Sequence, residues 1–334
     1  MIRPRHLKMA ARFAAGRLRA VHPFEVQAAL LNACNLKCVY CRCPEIRTRL
    51  LSTGQWRDVI RGLGALGTLR IKFQGGEPTL RADFRELCAV SQEAGIMAAV
   101  VTNGFGIAES PALLDHLDEV VVSLDSPRAE VNDELRGPRC FEHATRTIDL
   151  ARQRGVRVFV NMVLTSRNVA DLEAMLTFCE AKGARLHAQP VAFGLAFYDE
   201  RARALALSPD DVRAAHGRMA AWKREGRAMM FSAAAYEKVM RWPDLGALTE
   251  ASEGPSGCMA GKDYVHIEPN GDVHPCVMHG PPFEPLNIVR DGLEAALRRA
   301  QRHECGDCWS TYLNERKLVF GLRPAALLEM ARRG

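Results

Sequence analysis

Between residues 24 and 191, short runs of β-branched and apolar residues alternate with longer stretches of helical period, and no other feature of the chain restricts its fold so strongly. The runs FEVQAALL (24–31), LRIKFQ (69–74), MAAVVT (97–102), EVVVSL (119–124), VRVFVNMVL (156–164) and RLHAQPV (185–191) read as strands. Between them GQWRDVIRGLGAL (behind the Ser52/Thr53 cap), RADFRELCAVSQEAG, PALLDHL, FEHATRTIDLARQRG and VADLEAMLTFCEAKG read as helices. Repeated strand–helix units predict an α/β fold with a parallel sheet and right-handed crossovers. Function in such folds gathers at the carboxyl ends of strands, where NACNLKC, GGEP, TNG, SLDS and TSRN all fall. Residues 192–249 break the alternation with two helical stretches, SPDDVRAAHGRMAAWKREG and SAAAYEKVMRWP, and read as a linker.

Charge and cysteine content narrow the function. The net charge is +6, and Arg3, Arg5, Lys8, Arg12, Arg17 and Arg19 all precede the first acid, Glu25. The whole excess therefore sits in a basic N-terminal arm, residues 1–23. That arm has helical spacing and is expected either to pack on the domain or to touch an anionic membrane surface or acidic substrate. It carries neither an apolar signal region nor a cleavage site, and no apolar run approaches a membrane span. Eleven cysteines in a chain without an export signal suit a reducing, cytoplasmic setting, where close spacing points to metal or iron–sulfur ligation in place of disulfides.

Four cysteines crowd into NACNLKCVYCRCPE, residues 32–45. Cys34, Cys38 and Cys41 are spaced i, i+4, i+7, but they follow a strand and bring almost no apolar company, so a buried helix face is a poor account of them. Zinc would want a fourth ligand. Three thiolates suit a four-iron cluster with one iron left open. The Cys-x-x-x-Cys-x-x-Cys spacing, Tyr40 before the last cysteine, and FQGGEPTLR at the second strand's end together resemble the radical S-adenosylmethionine (SAM) superfamily.

That resemblance implies a partial (β/α)6 TIM-like barrel over residues 24–191. It implies SAM on the open iron of a 4Fe-4S cluster held by Cys34, Cys38 and Cys41, with Cys43 outside the motif. It further implies a 5′-deoxyadenosyl radical that takes hydrogen from substrate. Carried over position by position, the SAM pocket would involve Tyr40, Gly75, Gly76, Glu77, Asn103, Ser123, Asp125 and Arg136.

A second group, Cys258, Cys276, Cys305 and Cys308, resembles the twitch domain, the shortened SPASM domain that carries an auxiliary iron–sulfur cluster in radical SAM enzymes. HIEPNGDVHPC reads as a hairpin turning at Asn270-Gly271. Four thiolates also suit structural zinc, which stays open as an alternative. The expected organisation is a small C-terminal domain over residues 250–320 and a tail over 321–334. Cys140, near Arg136, is a candidate hydrogen donor, while Cys88 and Cys179 read as core. His187, His266, His274 and His279 are candidates to line the substrate space.

The expected activity is that of a twitch-type radical SAM oxidoreductase, dehydrogenating a small molecule such as a sugar, cyclitol or lipid-linked polyol. The auxiliary cluster would accept the electron, and flavodoxin or ferredoxin would supply the reductant. The short stretch before the first strand favours a small molecule over a peptide. The alternative is modification of a peptide or lipid by epimerisation, carbon–carbon coupling or adenosyl transfer. A zinc-stabilised nucleic-acid-binding protein is the alternative of another class, but the basic arm offers only Phe13 for base stacking, so no nucleic acid is expected.

Overall fold

The computed structural model describes residues 4–192, 200–245, 249–250, 258–278, 283–303 and 306–321. All six expected strands form: β1 (Glu25–Leu31), β2 (Arg70–Gly75), β3 (Met97–Thr102), β4 (Glu119–Ser123), β5 (Arg157–Leu164) and β6 (Arg185–Pro190). They pair in parallel in chain order, as repeated strand–helix crossovers demand. The chain then contributes β7 (Thr249–Glu250) and returns as β8 (Tyr264–Ile267), which joins the far side of β1 in parallel. The hairpin partner β9 (Asp272–His274) and then β10 (Leu286–Asn287) extend the sheet antiparallel to nine strands. Gly271 makes the hairpin turn at φ 91°, a left-handed conformation that glycine adopts at little cost. A separate antiparallel pair joins β7 to β11 (Asp307–Cys308).

The helices are α1 (Pro4–Arg17), α2 (Thr53–Leu66), α3 (Phe84–Glu93), α4 (Phe105–Glu109), α5 (Ala129–Arg136), α6 (Cys140–Gln153), α7 (Leu172–Ala181), α8 (Pro209–Arg224), α9 (Ala233–Met240), α10 (Ile288–Asp291), α11 (Leu293–Gln301) and α12 (Thr311–Phe320). Ser52 starts α2 with a capping box: its Oγ accepts from Gln55 N at 3.2 Å, and Gln55 Oε1 accepts from Ser52 N at 2.9 Å. Trp56, Val59, Ile60 and Leu63 then bury one face of that helix. PALLDHL shrinks to a single 3-10 turn at Pro111–Leu114, because Pro111 opens it and too few residues remain before β4 for a second turn. In the other direction, α4 and α5 form where loops were expected.

The two faces of the sheet differ in kind. Val26, Ala28, Leu30, Ile71, Phe73, Val100, Val120, Val122, Val160 and Leu186 belong to the main apolar core, under the helices. At the alternate positions of the same strands stand Glu25, Gln27, Arg70, Lys72, Glu119 and His187, all buried. Parallel strands buried on both faces usually read as continuous apolar runs; here the period of two leaves the inner face polar. Its floor is an ion-pair ladder. Arg70 Nη1 lies 2.8 Å from Glu25 and its Nη2 reaches Glu119, which Arg157 also meets at 2.9 Å. Helix α12 closes this floor, bringing Arg316 Nε to 2.7 Å from Glu25 and the Tyr312 hydroxyl onto the same carboxylate. Burial pushes the Glu25 carboxyl up, but Arg316, Arg70 and Lys72 outweigh it and hold the group at about 2.

The arm is helix α1, and several of its bases turn inward. Arg12 donates to the carbonyls of Gly64 (3.1 Å), Thr68 (3.0 Å) and Ala94 (3.4 Å), Arg17 pairs with Asp263 at 3.2 Å, and Arg19 reaches Ala65 O. Phe13 packs on Phe24 with ring centroids 4.4 Å apart. The packing alternative thus accounts for these residues, and the structure offers no support for a membrane contact. Among the described residues no helix is long and apolar enough to cross a membrane.

Candidate active site

The loop after β1 carries the first cysteine group and is strapped to the ends of β2 and β3. Gly76 N donates to Leu31 O at 2.7 Å and Glu77 N to Ala33 O at 2.9 Å. A Cβ on Gly76 would fall 2.1 Å from Ala33 O, and one on Gly75 would fall 2.2 Å from Leu31 O, so two glycines let the backbones touch. Glu77 is 1% exposed. Its Oε1 accepts from Thr79 N (3.1 Å), Thr79 Oγ1 (2.6 Å) and Thr102 Oγ1 (2.9 Å), and its Oε2 from Asn103 N (2.7 Å). Burial raises its pKa against the opposing pull of those donors. Asn103 ties the rim to the cysteine loop, donating to Asn35 Oδ1 at 2.7 Å and to Cys34 Sγ at 3.7 Å.

The other half of the loop is anchored by Asp125, which is fully buried. Its Oδ2 accepts from Tyr40 OH at 2.5 Å and lies 2.9 Å from Arg136 Nε; its Oδ1 accepts from Arg136 Nη2 at 3.1 Å and Val163 N at 2.8 Å. The Arg136 carbonyl in turn receives Cys38 Sγ at 3.6 Å. Asp125, Tyr40 and Arg136 therefore lock one another, and both Asp125 oxygens face protein. Ser123 ends β4 opposite Asn161. Cys140 begins α6 beside Arg136, entirely buried, and burial lifts its thiol to about 11 although Arg136 pulls the other way.

The three loop thiols share one neighbourhood. Burial raises Cys34, and raises Cys38 to about 12, with a further push from Cys41 on both. Amide donors point at the sulfurs: Leu36 N at Cys34 (3.4 Å) and Cys43 N at Cys41 (3.4 Å). Thiols that burial keeps protonated ionise when a cationic metal centre takes them, and N–H donors to sulfur are the usual second layer of an iron–sulfur site. Cys43 is buried and turns to Asn32 Oδ1 at 3.7 Å.

In the second group Cys258, Cys276 and Cys308 lie within electrostatic reach of one another, and burial pushes Cys308 to about 12. Met278 N donates to Cys276 Sγ at 3.3 Å, and the walls are Tyr264, Tyr312 and Leu313. Cys305 and His279 lie outside the described residues. Among the described residues no three His, Cys, Asp or Glu side chains close round a single ion. His274 lies against Phe283, and His266 Nε2 lies 3.1 Å from Glu268.

The polar inner face above the floor was missed by the sequence reading except for its histidines. Gln74 Nε2 donates to Gln27 Oε1 at 3.2 Å, and Lys72 Nζ lies 3.9 Å from the Tyr312 ring centroid. The signal was available as polar residues at every second position of otherwise apolar strands.

The model of the radical SAM superfamily matches residues 29–179. Mycofactocin maturase MftC of Mycolicibacterium smegmatis is 30% identical over 275 residues, covering 79% of this chain and 67% of that protein. PqqA peptide cyclase of Ruegeria pomeroyi is 31% identical over 266 residues, covering 76% and 67%. The chain belongs to the radical SAM superfamily, in its SPASM/twitch subgroup. Against the MftC of Mycobacterium tuberculosis identity rises to 37%, over 47% of this chain, but the match spans only 42% of that protein's length. The crystal structure of Streptococcus suis SuiB bound to SAM shares the fold at a TM-score of 0.63 and 19% identity, covering 89% of this chain and 67% of that one. As a radical SAM enzyme the chain binds SAM and a 4Fe-4S cluster, and auxiliary clusters characterise its subgroup.

Proposed function

We propose that this radical SAM enzyme modifies a peptide, with Cys34, Cys38 and Cys41 holding the SAM-cleaving cluster and Cys258, Cys276, Cys305 and Cys308 an auxiliary one. The observation that carries the substrate class is the likeness, over three quarters of this chain, to a protein named as a peptide cyclase. That likeness outweighs the short N-terminal stretch on which the small-molecule expectation rested.

Bound together, cluster and SAM supply reductive cleavage and hydrogen-atom abstraction; the chain's own residues bind, orient and exclude water. Gly75 and Gly76 bring the β2 end against the cysteine loop, and their backbone carbonyls would hold the SAM amino group. Glu77 and Asn103 hold that rim rigid, and the Asp125–Arg136–Tyr40 lock fixes the loop beside Cys38. Ser123 and Asn161 face the space above the inner sheet. Burial of Cys140 behind α5 weighs against its use as a hydrogen donor. Cys258, Cys276, Cys305 and Cys308 would hold an auxiliary cluster able to take one electron from the substrate radical as it sheds a proton, so that the net reaction would be an oxidation. Flavodoxin or ferredoxin of the cytoplasm would supply reducing equivalents.

The test is anaerobic turnover with SAM and reductant, offered short peptides encoded beside this chain's gene. A peptide that gains or loses mass while deoxyadenosine accumulates is the expected result. Turnover with polyols alone, and with no peptide, would overturn the reading.

A further inference from the structure

The inner face holds more positive charge than its carboxylates balance. The groups that act most strongly on Lys72 are Glu25 and Glu119 on one side and Arg70 and Arg316 on the other, two carboxylates against two guanidiniums. Those four already pair among themselves through the floor ladder and α12. Lys72 is 7% exposed, and its ammonium meets only the face of Tyr312; among the described residues no carboxylate or other acceptor reaches it. A buried cation without a direct ion-pair partner is costly. Burial accordingly lowers the Lys72 pKa well below the ordinary lysine value.

A second buried nitrogen stands on the same face of the sheet. His187 stands on the inner face of β6, 5% exposed, with Nε2 3.4 Å from Gln189 Oε1 and its buried Nδ1 without a partner among the described residues. It feels the charge of Lys72. Gln27 and Gln74 stand beside Lys72 in the same face.

We infer that the inner face takes an acidic group of the substrate, a carboxylate that gives Lys72 the direct ion-pair partner it lacks. The inference rests on the peptide reading for the body of the substrate, which would be a peptide whose glutamate or aspartate side chain, or terminal carboxylate, enters the barrel. The reacting carbon would then be set by its distance from that carboxylate, so Lys72 is a specificity residue rather than a catalytic one.

The probes are two fluorescent capped pentapeptides, alike except for a central glutamate or glutamine, together with free glutarate. Binding is measured on the full chain by anisotropy and calorimetry, for the parent, Lys72→Met and Lys72→Arg. The glutamate peptide should bind at least tenfold tighter than its amide, Lys72→Met should erase the difference, and Lys72→Arg should keep part of it. Equal binding of the two peptides by the parent, or a preference that survives Lys72→Met, overturns the carboxylate inference and leaves the peptide reading standing. Uptake of glutarate that depends on Lys72, with neither peptide bound, overturns the peptide reading and keeps the inference. Binding of none of the three overturns the inference. Lys72→Met should also melt no lower than the parent, since it removes an uncompensated buried charge; a marked fall would mean that Lys72 serves packing.

Discussion

The two cysteine groups are built by opposite means. The first hangs from loops at the ends of three parallel strands and is fixed by polar contacts: the glycine strap, the Glu77 carboxylate and the Asp125–Arg136–Tyr40 lock. The second sits between the β8–β9 hairpin and the start of α12, walled by Tyr264, Tyr312 and Leu313, with a two-residue strand pair beside it. A rim braced by a sheet keeps its shape before any metal arrives. A site made of short elements draws much more of its order from the metal, because binding free energy there is also folding free energy.

The largest expected effect breaks the pair apart by activity. Cys41→Ala should reduce formation of 5′-deoxyadenosine to background, whereas Cys276→Ala and Cys43→Ala should leave it running; chromatography of the quenched reaction decides. Loss of deoxyadenosine in Cys276→Ala would show that the two groups work as one.

Stability should then divide them the other way. Stripping iron with a chelator should lower the thermal midpoint by several degrees, since a folded-state ligand stabilises by mass action. That drop should persist in Cys34→Ala and vanish in Cys276→Ala. A drop that vanishes in both variants alike would place the metal's structural role in the first group.

The polar bracing itself is open to direct test. Asp125→Ala leaves Arg136 buried and unpaired, which should cost about 3–5 kcal/mol in urea unfolding and should remove iron from the first group alone.

Acid should act more mildly, on the side of the molecule that carries the second group. His216 on α8 packs near Tyr236 of α9, and burial holds its pKa at about 4. An unfolded histidine takes its proton near 6.5, so below that pH the unfolded chain binds a proton that the folded chain refuses. Stability should therefore fall by about 2 kcal/mol between pH 6.5 and pH 5 from this residue, with His187, held at about 3, acting in the same direction. His216→Phe should flatten the slope of melting temperature against pH; an unchanged slope would assign the acid sensitivity elsewhere.

How far the sequence could be read follows from what each residue contacts. The strands, their order and the rim loops were legible because alternation of strand and helix is a local pattern, and the glycine pair was legible because it stands at a strand end. The roles of Asp125 and Arg136 were harder, since the segment between them folds into α5 and carries Arg136 back onto the carboxylate; nothing in ELRGPRCFE signals that return. Glu77 likewise turns out to bind Thr79, Thr102 and Asn103, partners set by the third strand's position. Lys72 was passed over because a lysine in a strand reads as an edge residue until its neighbours in the sheet are known.

Closure of the floor by α12 sets an order of events during synthesis. Tyr312 and Arg316 meet Glu25 across nearly the whole length of the described chain. While the ribosome still holds α12 in its tunnel, β1 to β6 have emerged with Glu25 lacking two of its partners and Lys72 lacking the ring beneath it. Cys34, Cys38 and Cys41 are in place on such a nascent chain, but the space above the sheet gains its lower wall only once α12 has emerged and docked. A substrate site with a closed floor is thereby a late product of synthesis.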